Sequence, residues 1–141
     1  FVRGDIPAVL FWHFTDQFYH TDQDRMDKVS RETLRNVVSG TLTSVMTLAS
    51  GHESLALQIL EEVAVAAKTR IHTESVLSKE AIDAGESAEK QVEIISTWTS
   101  YYRDVAATVN DLSKSADVRN AINTTRLTIA GYGERALDEL K

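Results

Sequence analysis

Apolar residues recur at steps of three and four along most of this chain, and no proline occurs between residues 22 and 110. This spacing places the apolar side chains on one side of an α-helix. It predicts helical segments over about residues 24–49, 51–84 and 87–112, and a further one from Val118 to the Gly131-Tyr132-Gly133 run. A last helical turn or two is predicted for residues 134–141. The chain has no long alternating pattern of the kind that strands show, so the sequence predicts an all-α fold.

The apolar pattern is most regular in the segment that follows residue 87. Its seam runs through Val92, Ile95, Trp98, Tyr102, Val105, Val109 and Leu112, with spacing close to a heptad. Such spacing is typical of helices that pack side by side. We therefore predict an antiparallel helical bundle of four to five helices, forming a single domain over residues 1–141.

Serine and glycine residues predict where the helices end. Ser50 and Glu53 have the three-residue spacing of a capping box, which predicts a turn or a kink at this point. Gly85 can take the left-handed conformation that ends a helix, and Ser87 can cap the next one. If Ser50 does not mark a break, two much longer helices pair instead as an extended coiled coil.

Aromatic residues are concentrated at the N-terminus, where the first nineteen positions hold six of the ten in the chain. Asp5 can cap a helix that has Pro7 in its first turn, so we predict an amphipathic helix over about residues 5–20. Trp and Tyr side chains favour interfaces where one end of the side chain is in apolar surroundings and the other is in contact with water. We therefore expect this helix to pack on the core, on a partner or near a membrane. The candidate partner or membrane-proximal residues are Phe11, Trp12, Phe14, Phe18 and Tyr19.

The amino-acid composition excludes several classes of chemistry and of binding partner. The 141 residues include no cysteine, which excludes disulfides, thiol nucleophiles and Cys-ligated metal centres. The net charge of −6 argues against binding to nucleic acid, which requires a concentrated basic surface. No apolar run reaches the ~18 residues of a membrane span. Because the first residue is Phe1, we expect a fragment or a processed form of a longer protein.

Catalytic and metal-binding patterns are missing from the sequence. His13 and His20 lie seven residues apart with Asp16 between them, so on a helix they share one side, but a metal would need a further ligand from elsewhere. Neither a Gly-x-Ser-x-Gly elbow nor a glycine-rich phosphate loop occurs. We therefore predict no enzyme, no metal and no cofactor.

Aromatic residues also gather in the middle of the segment after residue 87. One interpretation makes them core residues beside a surface arginine. The other is a small-ligand pocket between helices, in which aromatic walls exclude water and Arg103 or Arg70 pairs with a carboxylate. The candidate ligand-binding residues are Arg70, Trp98, Tyr101, Tyr102 and Arg103.

As an acidic, cysteine-free helical bundle with aromatic residues gathered at one end, the chain resembles the extracytoplasmic four-helix sensor domains of bacterial chemoreceptors and sensor kinases. The resemblance is one of architecture and covers the whole chain. It implies a non-catalytic domain between two membrane spans that forms a homodimer, binds a small ligand between helices and signals by helix displacement. It also implies a periplasmic or other extracytoplasmic location. The alternative is an accessory or assembly subunit of a larger complex, which docks on a partner protein through the aromatic N-terminal helix.

Overall fold

The computed structural model describes residues 8–11 and 16–140, and within these ranges the protein is 78% helical with no strand. The predicted all-α fold class is confirmed. Short 3-10 helices cover Met26–Lys28 and Val109–Asp111. The four α-helices are α1 (Arg31–Ala49), α2 (Glu53–Asp83), α3 (Ala88–Thr108) and α4 (Ala116–Asp138).

The chain divides into two compact units, residues 1–49 and residues 50–141. In the second unit α2, α3 and α4 each pack against the other two. The links at residues 84–87 and 109–115 are short, so helices that follow one another in the chain run antiparallel. The prediction of a single domain over residues 1–141 stays a prediction. The core of the second unit consists of Ala56, Leu60, Ala67, Ile71, Ile95, Ala106, Val109, Val118, Ile122, Ile129 and Ala136.

Most helix boundaries follow local capping. The Ser87 hydroxyl accepts a hydrogen bond from the backbone N–H of Lys90, as predicted, and Gly85 has a φ of +94°. The predicted break near residue 50 is also present, but its capping residue differs. The Nδ1 atom of His52 accepts from the N–H of Leu55 at 3.2 Å, whereas the sequence pattern favoured Ser50. His52 immediately precedes the first turn of α2, so its side chain reaches a free N–H group there.

Two helix ends differ from the predicted ones. α1 begins at Arg31, later than the predicted start near residue 24, because the hydroxyl of Ser30 caps it by accepting from the N–H of Thr33 at 3.2 Å. α4 continues through Gly131 and Gly133 to Asp138, so the predicted end at this glycine run is wrong. Gly133 is a buried position inside the helix, and its role is packing.

The seam of α3 is rotated slightly from the predicted one. Ile95 of α3 and Val109 of the 3-10 helix that follows it are buried as expected, but Val92 is 42% exposed and its neighbour Gln91 is buried in its place. Only the packing of α3 against α2 and α4 decides between two adjacent positions, since one residue is a 100° step around the helix.

The described parts of the aromatic N-terminal segment are not helical. Residues 8–11 are irregular and residues 17–20 form a turn, so the predicted helix over about 5–20 is wrong for these residues. The rest of that predicted helix lies outside the described residues.

Local hydrogen bonds explain the turn. The Asp16 carboxylate accepts from the N–H of Phe18 at 2.9 Å, and the Thr21 hydroxyl donates to the carbonyl of Phe18 at 2.6 Å. His20 has a φ of 61°, in the left-handed region that interrupts a helix. Short polar side chains that bond to nearby backbone groups in this way compete with helix formation.

Candidate ligand-binding site

Three aromatic rings cluster on α3, as the sequence predicts. The ring centroids of Trp98 and Tyr101 are 5.7 Å apart, and those of Tyr101 and Tyr102 are 5.2 Å apart, both in edge-to-face arrangements. Trp98 and Tyr102 are half-buried and pack against the core of the second unit, whereas Tyr101 is 54% exposed. Edge-to-face packing stabilises pairs of aromatic rings beyond the effect of their burial alone.

Arg70 of α2 completes this cluster. Its guanidinium carbon lies 3.9 Å from the centroid of the Trp98 ring, a cation–π contact, and its Nη2 atom is 2.7 Å from a carboxylate oxygen of Glu74. The charge of Arg70 is therefore already balanced by Glu74 of the same helix, and its guanidinium covers the face of the Trp98 ring. This geometry accords with the interpretation of the cluster as packing. A role of the cluster in ligand binding stays a prediction.

Arg103, the fifth candidate residue, lies apart from the cluster. It follows Trp98 by five residues, which on a helix is a rotation of about 140°. Its side chain lines a groove of about 250 Å³ between α3 and α4, together with Asn123, Arg126 and Leu127. It also borders an adjoining groove of about 220 Å³ over Gly133.

Two arginines and no carboxylate thus line the first of these grooves, whereas Glu134 lines the adjoining one. Within the part of the chain that the structure describes, neither Arg103 nor Arg126 forms an ion pair. The Nε atom of Arg126 is buried and has no hydrogen-bond partner. A buried donor with no acceptor carries a desolvation cost of about 1–3 kcal/mol, more when it is charged. Arginine forks match carboxylate and phosphate oxygens, so the groove has the chemistry of an oxyanion site.

A second polar arrangement joins α2 to the end of α4. The hydroxyl of the buried Ser75 donates to a carboxylate oxygen of Glu139 at 2.8 Å, and Lys79 Nζ lies 3.3 Å from the same oxygen. The Ser75 hydrogen bond, followed by the hydrogen bond and charge of Lys79, lowers the pKa of Glu139 below its ordinary value of 4.5. Lys68, His72 and Arg135 line the same small groove.

The lowered pKa of Glu139 predicts a specific pH dependence of the unfolding free energy. A carboxyl group whose folded pKa is lowered stabilises the fold above its unfolded pKa, and this contribution is lost as the pH falls through the folded value. The unfolding free energy of Glu139→Gln should therefore decline less steeply than that of the parent chain below pH 4.5. Denaturant titrations at a series of pH values measure this slope. Glu134→Gln removes the same charge from an exposed position of α4 and is the control; equal slopes for the two variants would contradict the role of Glu139.

The predicted partner-facing aromatic residues lie in the first unit. Phe11 and Tyr19 are 58% and 47% exposed, and Phe18 is half-buried with Lys28 Nζ 5.3 Å from its ring centroid. Trp12 and Phe14 lie outside the described residues. Phe11 lines an open groove of about 360 Å³ with the first residues of α1, among them Leu34 and Val37.

The metal hypothesis for His13, Asp16 and His20 has no counterpart in the described ranges, where no group of three metal-ligating side chains occurs. His13 lies outside those ranges. None of the described helices combines the length and the apolar character that crossing a bilayer requires.

The apolar residues of α1 form an exposed surface in the first unit. None of its 19 residues is buried. Its large hydrophobic residues that remain exposed are Leu34, Val37, Val38, Leu42, Val45, Met46 and Leu48. Isolated exposed apolar residues are ordinary, whereas a contiguous exposed apolar set is less common in monomeric proteins.

Comparison with protein families, with curated proteins and with solved structures finds no match to this chain.

Sequence reasoning missed Arg126 and Glu139. Arg126 lies among threonines on α4, and nothing in the local sequence pattern indicates that it is a functional residue. Its relation to Arg103 arises only when α3 and α4 pack. The same is true of Glu139 and Ser75, which are 64 residues apart in the chain.

Proposed function

We propose that this chain is a non-catalytic sensory domain of a bacterial transmembrane receptor, which binds a small oxyanion between α3 and α4 and signals by helix displacement. The single observation that supports the proposal is that Arg103 and Arg126 line one interhelical groove and that neither forms an ion pair within the described residues. The ligand class is a small carboxylate, phosphate or sulfate compound.

Charge explains why an anion suits this groove. Two guanidinium groups on one groove repel each other, and an oxyanion between them replaces that repulsion by two charge-assisted hydrogen bonds. The amide of Asn123 adds a donor, and the exposed side chain of Leu127 borders the groove for an apolar portion of the ligand.

The position of the groove suits a signal carried by helices. Arg103 belongs to α3 and Arg126 to α4, so a ligand held by both couples the two helices. A ligand that prefers one packing of α3 against α4 shifts the population toward that packing. Displacements of about 1–2 Å between packed helices are within the known range of such switches.

A ligand panel tests the proposal directly. We expect carboxylate, phosphate or sulfate compounds, and not amines, to raise the melting temperature of the protein, since a ligand that binds the folded state stabilises it. Isothermal titration should then show that Arg126→Gln and Arg103→Gln each weaken binding by about 10-fold or more, the loss of one charge-assisted hydrogen bond.

Two further variants assign the site. Arg135→Gln removes a cation elsewhere on α4 and should leave the affinity unchanged. Arg70→Gln removes the cation of the aromatic cluster, and a selective loss of binding in this variant would move the site to Trp98. If no anion in the panel binds, the sensory proposal is rejected.

The alternative function, an accessory or assembly subunit that docks on a larger complex, is favoured by the exposed apolar side of α1. The gene sequence beyond both ends of the chain separates the two proposals. The receptor proposal expects an apolar run of ~20 residues on each side, and the subunit proposal expects none.

A further inference from the structure

We infer that the groove between the start of α3 and the end of α4 docks a basic amphipathic helix of a partner protein. The groove has a volume of about 630 Å³, and its lining residues are Ala88, Val92, Glu134, Leu137, Asp138 and Leu140. All of them belong to the second unit, so the packing of α3 against α4 shapes the groove. The inference does not rest on oxyanion binding by Arg103 and Arg126, although Glu134 and Leu137 also border the intervening groove over Gly133.

Apolar side chains from two helices line most of this groove. Val92 of α3 is 42% exposed, and Leu137 and Leu140 of α4 are only partly buried against the core. Ala88, the first residue of α3, has a short side chain that leaves room for a side chain of the partner. Residues three and four apart lie on the same side of a helix, so α3 and α4 each present one apolar row. A third helix packs its own row of apolar side chains between two such rows.

The charges around the groove select a basic partner. Glu134 and Asp138 line it, and no basic residue does. Two further carboxylates, Glu89 and Glu93, follow the two lining residues of α3 by one position each and are exposed. Glu134 forms no ion pair within the described residues, so a cation of the partner can bind it. Acidic groups around an apolar surface match a helix that carries lysine or arginine beside its apolar side.

The described basic residues at this end of the unit are engaged elsewhere. Lys79 Nζ lies 3.3 Å from a carboxylate oxygen of Glu139, and Lys90 Nζ lies 3.2 Å from one of Glu86. Arg135 lines the groove between α2 and α4 instead. Because the helices are antiparallel, the C-terminal ends of α2 and α4 both lie at this end and add partial negative charge. The electrostatic environment of the groove therefore favours a cation.

The size of the groove indicates a transient interaction. Residues 134–140 of α4 span about 9 Å, which is less than two helical turns. A contact of this length buries less surface than a stable protein interface, so we expect an affinity in the micromolar range. Exposed charges contribute to the contact, so higher salt concentration should weaken it.

A model peptide tests the chemistry of the partner. The probe is a fluorescein-labelled peptide of about 14 leucine and lysine residues, with its leucines on one side of a helix. Fluorescence anisotropy with the full chain should show micromolar binding. Replacing the lysines by glutamates should weaken binding by at least about 10-fold, because like charges then meet. A peptide of the same composition, with leucines distributed around the helix, should also bind at least about 10-fold more weakly, since it has no apolar side.

Two variants of equal charge test the position of the contact. Val92→Lys places an ammonium group in the groove and should weaken peptide binding by at least about 10-fold. Val76 of α2 is 44% exposed and does not line the groove, so Val76→Lys is the matched control and should change the affinity by less than about 2-fold. Circular dichroism checks that both variants keep their helical content. In the parent chain, NMR amide shifts should change most within residues 88–92 and 134–140.

Several results would overturn the inference. Equal weakening by the two variants, or equal binding of the peptide with distributed leucines, would show attraction to the overall negative charge alone. Absence of peptide binding to the parent chain, or largest NMR shift changes elsewhere, would also contradict it. Sedimentation without peptide tests a different occupant: a dimer that Val92→Lys alone abolishes would assign the groove to a second copy of the chain.

Discussion

Ile129→Ala should lower the free energy of unfolding by about 3 kcal/mol, within the range of about 2–5 kcal/mol for such truncations in a core. Ile129 is fully buried in the middle of α4, among the core residues that join this helix to α2 and α3. Alanine leaves a cavity, and the surrounding helices close it only partly. Denaturant titration followed by circular dichroism measures the change.

Leu127→Ala is the matched control for this truncation. Leu127 lies two residues away on the same helix and is 74% exposed, so the same kind of truncation removes little packing. Because alanine favours helix more than leucine does, the control should change stability by less than about 0.5 kcal/mol. Similar losses for the two variants would contradict the position of Ile129 in the core.

Gly133→Ala should have the second large effect, a loss of about 1–3 kcal/mol from overpacking. A Cβ atom at Gly133 would lie 2.6 Å from Thr99 Cγ2 and 3.0 Å from Thr99 Cβ, well inside van der Waals contact. Thr99 cannot easily yield, because a β-branched side chain is stiff in a helix and its hydroxyl donates to the Ile95 carbonyl at 2.8 Å. Thermal or denaturant unfolding measures the loss.

Gly131→Ala separates packing from helix propensity. A Cβ there meets only the Arg135 guanidinium, at an ordinary 3.6 Å, so alanine should stabilise α4 by up to about 1 kcal/mol. Thr99→Ala in the Gly133→Ala background should recover part of the loss by opening the contact. If Gly133→Ala is as stabilising as Gly131→Ala, then α3 and α4 do not approach closely at this point.

The glycine pair shows where local sequence reasoning stops. Both glycines interrupt the apolar pattern of the last segment in the same way, and the sequence predicts a helix end there. In the structure the helix continues, and only Gly133 faces another helix closely. The difference depends on Thr99, which is distant in the chain, so no local rule separates the two positions.

The candidate site was accessible from the sequence only in part. The aromatic spacing on α3 predicts the Trp98–Tyr101–Tyr102 cluster, since residues three and four apart are neighbours on a helix. The sequence also placed Arg103 with them, although its position turns it to another side of α3. Its neighbour across the groove, Arg126, comes from α4 and depends on how the two helices pack.

The sequence by itself determined the all-α class, the break near residue 50 and the ends of α2 and α3 near Gly85 and Ser87. These features depend on apolar period and on hydrogen bonds between residues a few positions apart, which the sequence shows directly. The tertiary structure alone decided that Gln91 rather than Val92 is buried, and that Arg126 stands opposite Arg103. Both outcomes depend on how packed helices are rotated and spaced relative to one another. Each residue is a step of 100° around the helix, so contacts with side chains far apart in the chain decide which residue faces the neighbouring helix.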